Sequence, residues 1–415
     1  MQKSTARGVL VQKYGGSSIA TSEMILRVAD RIRDCRNDFP KIAVAVSAMG
    51  KTTDQLVSLA HQVSNQPRGR EMDLLLASGE QIAVSLLGLA LQAKGIKAIS
   101  LTAAQCGIQT DGVFNRAKVR SIDTRRLVRE LETGNVVIVT GFQGITKMDE
   151  ITTLGRGGGD ITGAALAAAL EADVCEICTD VDGVFSADPS VVQNARLLKN
   201  LSYEEAVELA SSGAKVLHPR AAEICMRHNI PIHVRSSSHR QEGTWIRGGT
   251  SAMEEAAVVG VSSDNGLVKV TLRSVPDKPG VAARIFQDLA DADINVRLII
   301  QNAGAQKQAR ITFILELEYL SSVSNLFEKW RQDSITSDSI IERDVATISI
   351  IGSRLSSTPG LAARMFSVLH NHGINIDCIS SSEMKISCVI AGNHLKQAVQ
   401  IVHEEFFDDS PEIVK

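Results

Sequence analysis

Residues Pro279-Gly-Val-Ala-Ala-Arg-Ile-Phe286 return as Pro359-Gly-Leu-Ala-Ala-Arg-Met-Phe366, and Ile294-Asn-Val296 returns as Ile374-Asn-Ile376 at the same offset of 80. A match held in register across a helix and the strand after it marks a duplicated structural unit. Each copy reads as a strand, a Pro-Gly turn, an amphipathic helix, a strand entered through Ile-Asn, a further strand and a closing helix. In the first copy these fall at Leu267–Leu272, Val281–Ala292, Asn295–Gln301, Ala309–Leu317 and Ser321–Gln332. Two βαββαβ-like units therefore follow one another, and an additional strand, Ala257–Val261, is expected to join their sheet. At 415 residues the chain exceeds what one core of roughly 250 to 300 residues spans, so a separate domain must precede the pair.

That first domain has its own pattern. Ile42–Ser47, Ala98–Thr102, Val136–Thr140, Val174–Cys178 and Ile232–Arg235 are short β-branched runs separated by helical stretches. Such runs predict an α/β fold, a mainly parallel sheet sandwiched by helices, with ligands bound beyond the carboxyl ends of the strands. The Ser- and Gly-rich patch Ser236–Thr244, followed by Arg247–Ser251, is the expected junction. The division is then 1–245 for the first domain, 246–340 for the first repeat with its linker, and 341–415 for the second.

A net charge of −3 lacks the basic excess that drives binding to a phosphate backbone, and aromatic residues at 4% leave little stacking surface. A nucleic-acid partner is not expected. Nor is a membrane: the N-terminus enters the strand-like Val9-Leu10-Val11 without a signal-peptide core, and a cytoplasmic location is expected. The seven cysteines are scattered through apolar segments, as reduced core thiols are. Cys175-Glu-Ile-Cys178 has the spacing of a metal or redox pair but sits alone in a strand, and no metal site is expected.

Five polar stretches fall where the sheet rule puts ligands. Lys13-Tyr-Gly-Gly-Ser-Ser18 closes the first strand; its glycines admit phosphate oxygens to the backbone and Lys13 offers charge, although a glycine turn with a surface lysine is the local alternative. Ser47-Ala-Met-Gly-Lys-Thr-Thr53 leads into a helix, where a hydroxyl either meets an anion or caps. Ala77-Ser-Gly-Glu80 places a carboxylate in the apolar helix Asp73–Leu87, on a solvated stripe or facing a cation, with Gly79 making room beside it. Thr153-Leu-Gly-Arg-Gly-Gly-Gly-Asp160 opens the helix Ile161–Leu170 and offers the forked Arg156. Thr179-Asp-Val-Asp-Gly-Val-Phe185 follows another strand and is otherwise an Asp-Gly turn.

Taken in order, and with the paired units behind them, these stretches resemble the aspartate kinases, a branch of the amino-acid kinase family, over about residues 9 to 405; the repeats resemble ACT domains. The resemblance implies transfer of the ATP γ-phosphoryl group to the β-carboxylate of L-aspartate, with Mg2+ bridging the phosphates. It implies Lys13 as the catalytic cation, with Asp180 orienting it. Ser47, Thr53, Glu80, Arg156 and position 159 would contact aspartate, Glu80 its ammonium and Arg156 its α-carboxylate. Gly159 departs from the family's serine and removes one expected hydroxyl. Lys13, Tyr14, Gly15, Gly16, Thr179, Asp180, Phe185, Asp188, Pro189 and Lys215 would border the nucleotide, while His218 reads as structural.

The resemblance further implies feedback by lysine, threonine or both at the paired domains, through Asp277, Asn295, Gln301, Asn375, Ile376, Ser382 and Glu383. Backbone N–H groups near Gly280 or Gly360 would take the effector carboxylate. A homo-oligomer is expected, or an assembly with a separate regulatory chain that starts at Met253. Two other readings compete: a kinase for an aspartate analogue, prompted by Gly159, and a catalytically silent amino-acid sensor.

Overall fold

The computed structural model describes residues 8–249, 257–303 and 307–408. They divide into two compact units. One comprises Met1–Ser186, Arg196–Ser211 and Lys215–Glu254; the other comprises Ala187–Ala195, Ser212–Ala214 and Glu255–Lys415.

The strands of the first unit, in chain order, are β1 (Val9–Tyr14), β2 (Lys41–Val46), β3 (Ala98–Leu101), β4 (Ile108–Thr110), β5 (Val119–Ile122), β6 (Val136–Thr140), β7 (Gln143–Ile145), β8 (Ile151–Thr153), β9 (Val174–Thr179), β10 (Asn200–Leu201), β11 (Ile232–Ser236) and β12 (Thr244–Ile246). Its helices are α1 (Ser22–Cys35), α2 (Thr52–Val63), α3 (Arg70–Ala93), α4 (Arg125–Glu132), α5 (Gly158–Ala169), α6 (Tyr203–Ser211) and α7 (Pro219–Arg227). Eight strands form the main sheet in the order β10-β12-β11-β9-β1-β2-β6-β3. Every pairing is parallel except β11 with β12. The expected β-branched runs supply β2, β3, β6, β9 and β11. Their side chains bury on both faces, which is why they read as continuous apolar runs.

Period 2 sends Leu10 and Tyr14 toward α1 and α3, where they join Ile25, Val28, Ile32, Val84, Leu87 and Leu91. Lys13 faces the opposite way, under α5, where Gly163 brings that helix close to its stem. A second sheet, β5-β4-β7-β8, holds the loop that leads into α5. Its strands of three or four residues are too short to show a period in sequence. The helix α3 is long and apolar enough to cross a membrane, yet it packs on the main sheet and carries the buried carboxylates of Asp73 and Glu80.

The second unit contains β13 (Gly260–Pro276), α8 (Val281–Asp291), β14 (Leu298–Ala303), β15 (Gln308–Glu316), α9 (Leu320–Gln332), β16 (Asp338–Ile351), α10 (Leu361–Asn371), β17 (Cys378–Ser381), β18 (Lys385–Ala391) and α11 (Leu395–Phe407). Their sheet order is β14-β15-β13-β16-β18-β17. The repeat is visible in detail: Gly280 and Gly360 begin α8 and α10 at φ of 93° and 91°, a left-handed conformation that favours glycine. Ile294 and Ile374 are both buried.

Two strands run through both copies. The first part of β13, Gly260–Asp264, pairs with Thr347–Ile351 of β16 beside β18. The later part, Leu267–Arg273, pairs with Asp338–Val345 and with β15. Of the strand expected at Ala257–Val261, only Gly260 and Val261 are in a strand; they begin the long β13, whose first part completes the sheet of the other copy. Val268, Val270, Ile285, Phe313 and Trp330 form one core. Val261, Ile348, Ile350, Met365, Cys388 and Val402 form the second, which also takes in Ala187 and Val192. Met253 lies outside the described residues.

Candidate active site

Lys13 stands on β1 with its Nζ 2.6 Å from Asp160 Oδ1, the two side chains only 14% and 11% exposed. Asp160 lies in the first turn of α5, where a carboxylate is favoured by the helix dipole. Its other oxygen accepts the His218 backbone N–H at 3.1 Å. His218 caps α7 through Nδ1, which accepts from the Arg220 N–H. Burial holds its pKa below the ordinary histidine value, so the ring stays neutral and the capping lone pair stays free.

Glycine geometry shapes the pocket around Lys13. A Cβ at Gly15 would lie 3.2 Å from Lys13 Nζ, and one at Gly163 would lie 3.0 Å from Lys13 Cβ. At Gly159 a Cβ would meet Ser47 Oγ at 2.4 Å and Lys13 Cε at 3.2 Å. With Ser47 and Lys13 in these positions, a side chain at position 159 has no room unless the Ser47 hydroxyl moves. The loops after β1 and β2 are joined by the Ser47 N–H to Tyr14 O and the Gly50 N–H to Gly16 O bonds, at 3.1 and 3.0 Å. Tyr14 is wholly buried on the face away from Lys13, so only its backbone reaches this loop.

Glu80 is 2% exposed. Its Oε1 accepts the Ala48 N–H at 3.0 Å, and its Oε2 finds no hydrogen-bond partner. Burial pushes its pKa up to about 7, against the lowering effect of the Ala48 bond. Gly79 does not open room for a ligand as expected: a Cβ there would sit 2.9 Å from that of Ala48, so it is where α3 closes on the Ser47 loop. Thr53 lies half-buried in the first turn of α2, whose cap position is Lys51.

Arg156 is exposed on its loop, and no ion pair holds it among the described residues. The flanking Gly155 and Gly157 have φ of 75° and 72°, and a Cβ at Gly157 would come within 2.1 Å of the His218 ring. Gly157→Ala is expected to cost at least about 2 kcal/mol, left-handed strain plus overpacking. A urea midpoint equal to that of the unaltered protein would refute this contact.

The remaining expected residues are less closely gathered. Asp180, expected to orient Lys13, accepts instead from Thr179 Oγ1 at 3.0 Å; the carboxylate on Lys13 is that of Asp160. Phe185 makes a bridge to Leu197. Asp188 accepts from Ser190, and together with Pro189 it belongs to the second compact unit. Lys215 is exposed before α7. Asp160 was the residue missed as a partner of Lys13; its signal was an acid directly after a glycine run at a helix start. Cys175 and Cys178, three apart on β9, point to opposite faces.

In the second unit, Asp277 and Gln301 line a cavity of ≈ 300 Å³ with Val275, Gly280, Val281 and Ile311. Asn295, Asn375, Ser382 and Glu383 are exposed and Ile376 half-buried; none of them lines this cavity.

The amino acid kinase family model matches residues 8–236, and ACT domain models match 270–332 and 348–406. The chain is 44% identical to the aspartokinase of Geobacillus stearothermophilus over 399 residues, 96% of this chain and 97% of that one. It is likewise 44% identical to aspartokinase 2 of Bacillus subtilis over 400 residues, 96% and 98% of the two chains. A crystal structure of E. coli aspartokinase III with aspartate and ADP superposes with a TM-score of 0.84 at 26% identity, covering 96% of this chain and all of that one. The same enzyme with lysine and aspartate gives 0.72 at 25% identity, again over 96% of this chain and all of that one. The chain belongs to the aspartokinase branch of the amino acid kinase family.

Proposed function

We propose that the protein transfers the γ-phosphoryl group of ATP to the β-carboxylate of L-aspartate. The observation that carries this is Glu80, a buried carboxylate held on one oxygen by the Ser47 loop and without a partner on the other. An ammonium ion satisfies that oxygen and repays the burial. Arg156, on a loop with no ion pair of its own, takes the α-carboxylate by a two-pronged contact.

The β-carboxylate is then the nucleophile. One of its oxygens forms a bond to the γ-phosphorus as the bond to the ADP oxygen breaks, giving an acyl phosphate and ADP. A carboxylate is already ionised at neutral pH, so no base is required. Lys13 stabilises charge on the transferring group, and Asp160 holds that lysine in place in the free protein. Gly15 stands beside the Lys13 ammonium, and the missing Cβ of Gly16 makes room for the carbonyls of Ala48 and Gly50 rather than for a phosphate; Gly15, Gly16, Thr179, Asp180, Phe185 and Lys215 border the nucleotide. Mg2+ would enter with ATP and would supply neutralisation of phosphate charge.

The division at about residues 245 and 340 accompanies this reading, as does a cytoplasmic, oligomeric enzyme. The ACT pair takes lysine, threonine or both as inhibitors. The ligands of E. coli aspartokinase III support aspartate, nucleotide and lysine as the chemical classes. In the cavity beside α8 the effector carboxylate meets the helix N-terminus at Gly280 and its ammonium meets Asp277. Asp277→Ala is expected to raise the inhibitory effector concentration about threefold with uninhibited turnover unchanged, the scale of a solvent-exposed charged contact. Unaltered inhibition would remove Asp277 from the site.

Hydroxamate formation from MgATP and aspartate, with and without lysine and threonine, tests the whole reading. Aspartyl hydroxamate that falls with an effector supports both halves. Product with an analogue alone moves the site to another carboxylate, and amino-acid binding without any turnover leaves a sensor.

A further inference from the structure

Asp73 is wholly buried on α3, seven residues and two helical turns before Glu80, and nothing in the proposed chemistry uses it. Its carboxylate accepts from four donors. Oδ2 takes the Thr153 N–H at 2.8 Å and the Asn115 N–H at 2.9 Å, while Oδ1 takes the Thr153 hydroxyl at 2.6 Å and the Asn115 side-chain amide. Thr153 ends β8, three residues before Arg156. Asn115 stands at φ of 67°, accepts the Gly69 N–H at the start of α3, and its carbonyl lies 3.1 Å from where a Cβ at Gly155 would be. One turn after Asp73, the Ala77 carbonyl accepts from Gln143 of β7, a second tie between α3 and the small sheet.

The two groups assigned to the ends of the amino acid are therefore carried by two elements joined through one carboxylate. Glu80 rides on α3, and Arg156 rides on the loop that Thr153 begins. We propose that Asp73 is a positioning residue that sets the spacing between Glu80 and Arg156, and with it the affinity for a substrate bearing both an ammonium and an α-carboxylate. This rests on the functional reading above. The groups assigned to the nucleotide lie elsewhere, on the loops after β1 and β9 and at Lys215 before α7, and the bonds of Asp73 go to Thr153 and Asn115 instead.

Asp73→Asn keeps the shape but turns one acceptor into a donor facing N–H and O–H groups. Thr153→Val removes a single bond to the same carboxylate. Steady-state kinetics with Asp73→Asn should show KM for aspartate raised at least tenfold, KM for MgATP within twofold and a smaller change in kcat. Thr153→Val should shift KM for aspartate in the same direction by about threefold, one neutral-to-charged hydrogen bond partly lost. A purely architectural role would lower kcat through the active fraction and leave both KM values alone, and that result overturns the proposal. Should Asp73→Asn fail to fold, Thr153→Val decides, and an unchanged ratio of the two KM values counts against it. An unaltered protein that makes no aspartyl hydroxamate sinks the functional reading and this proposal with it, whereas an active protein with unmoved KM values in the variants sinks the proposal alone.

Discussion

Lys13→Met is expected to lower hydroxamate formation by about 10³-fold while KM for aspartate changes by no more than a few-fold. The side chain faces α5 rather than the apolar core of α1 and α3, and its ammonium is the cation paired with Asp160. Removing a group that meets charge developing in the transition state costs roughly 10²- to 10³-fold, and a phosphoryl-transfer site has few other means of acceleration. Met also leaves Asp160 with only the His218 N–H, so some loss of stability accompanies the variant. The double variant Lys13→Met, Asp160→Asn separates the two effects: stability should return and turnover should not. Turnover within tenfold of the unaltered protein in either variant would remove Lys13 from the chemistry.

Glu80→Gln should raise KM for aspartate about 100-fold, the scale on which a desolvated charge pair loses one member. A pH signature distinguishes this from a packing effect. In the free protein Glu80 is protonated below about 7, so aspartate must displace a proton to bind. KM for aspartate should then rise roughly tenfold per pH unit below 7 in the unaltered enzyme and be flat across that range in Glu80→Gln. Stability moves oppositely. The folded pKa lies above the unfolded value, so the native state binds the extra proton between the unfolded pKa and about 7, and stability falls as pH rises through that window. Glu80→Gln lacks this loss and should melt higher than the unaltered protein at pH 8 but not at pH 5. Equal pH profiles of KM in the two proteins would exclude Glu80 as the ammonium partner.

The parts of this molecule that could be read in advance are those where one residue pattern has one physical outcome. Val136–Thr140 and its fellow runs are buried on both faces and form the parallel sheet; the offset of 80 announces two copies with matching Gly280 and Gly360. Lys13, Ser47 and Gly159 come together, and Glu80 reaches the same loop through Ala48. What escaped reading depends on contacts distant in sequence. Asp160 reads in sequence only as the end of a stretch that opens a helix, because nothing local shows Lys13 beneath it, and Tyr14 can be turned away from the site only once period 2 on β1 has a core to point into. Gly79 has the same composition whether it admits a ligand or Ala48. The strands of the small sheet fall below the length at which alternation is visible. A repeat offset likewise reports similarity of the copies and is silent about which strand completes which sheet.

Partner exchange between β13 and β16 bears on how the ACT half could exist as its own polypeptide. A chain cut near residue 340 would leave the Val268–Arg273 edge of β13 unpaired, a template for aggregation rather than a small stable domain. A polypeptide starting at Met253 would keep both long strands and so avoid that fate. It would still lack Ala187–Ala195, and the apolar surface around Val261 and Ile350 that Ala187 and Val192 help to cover would be open to water. Such a short product would be soluble mainly in company, with a full-length chain or another copy supplying the missing cover.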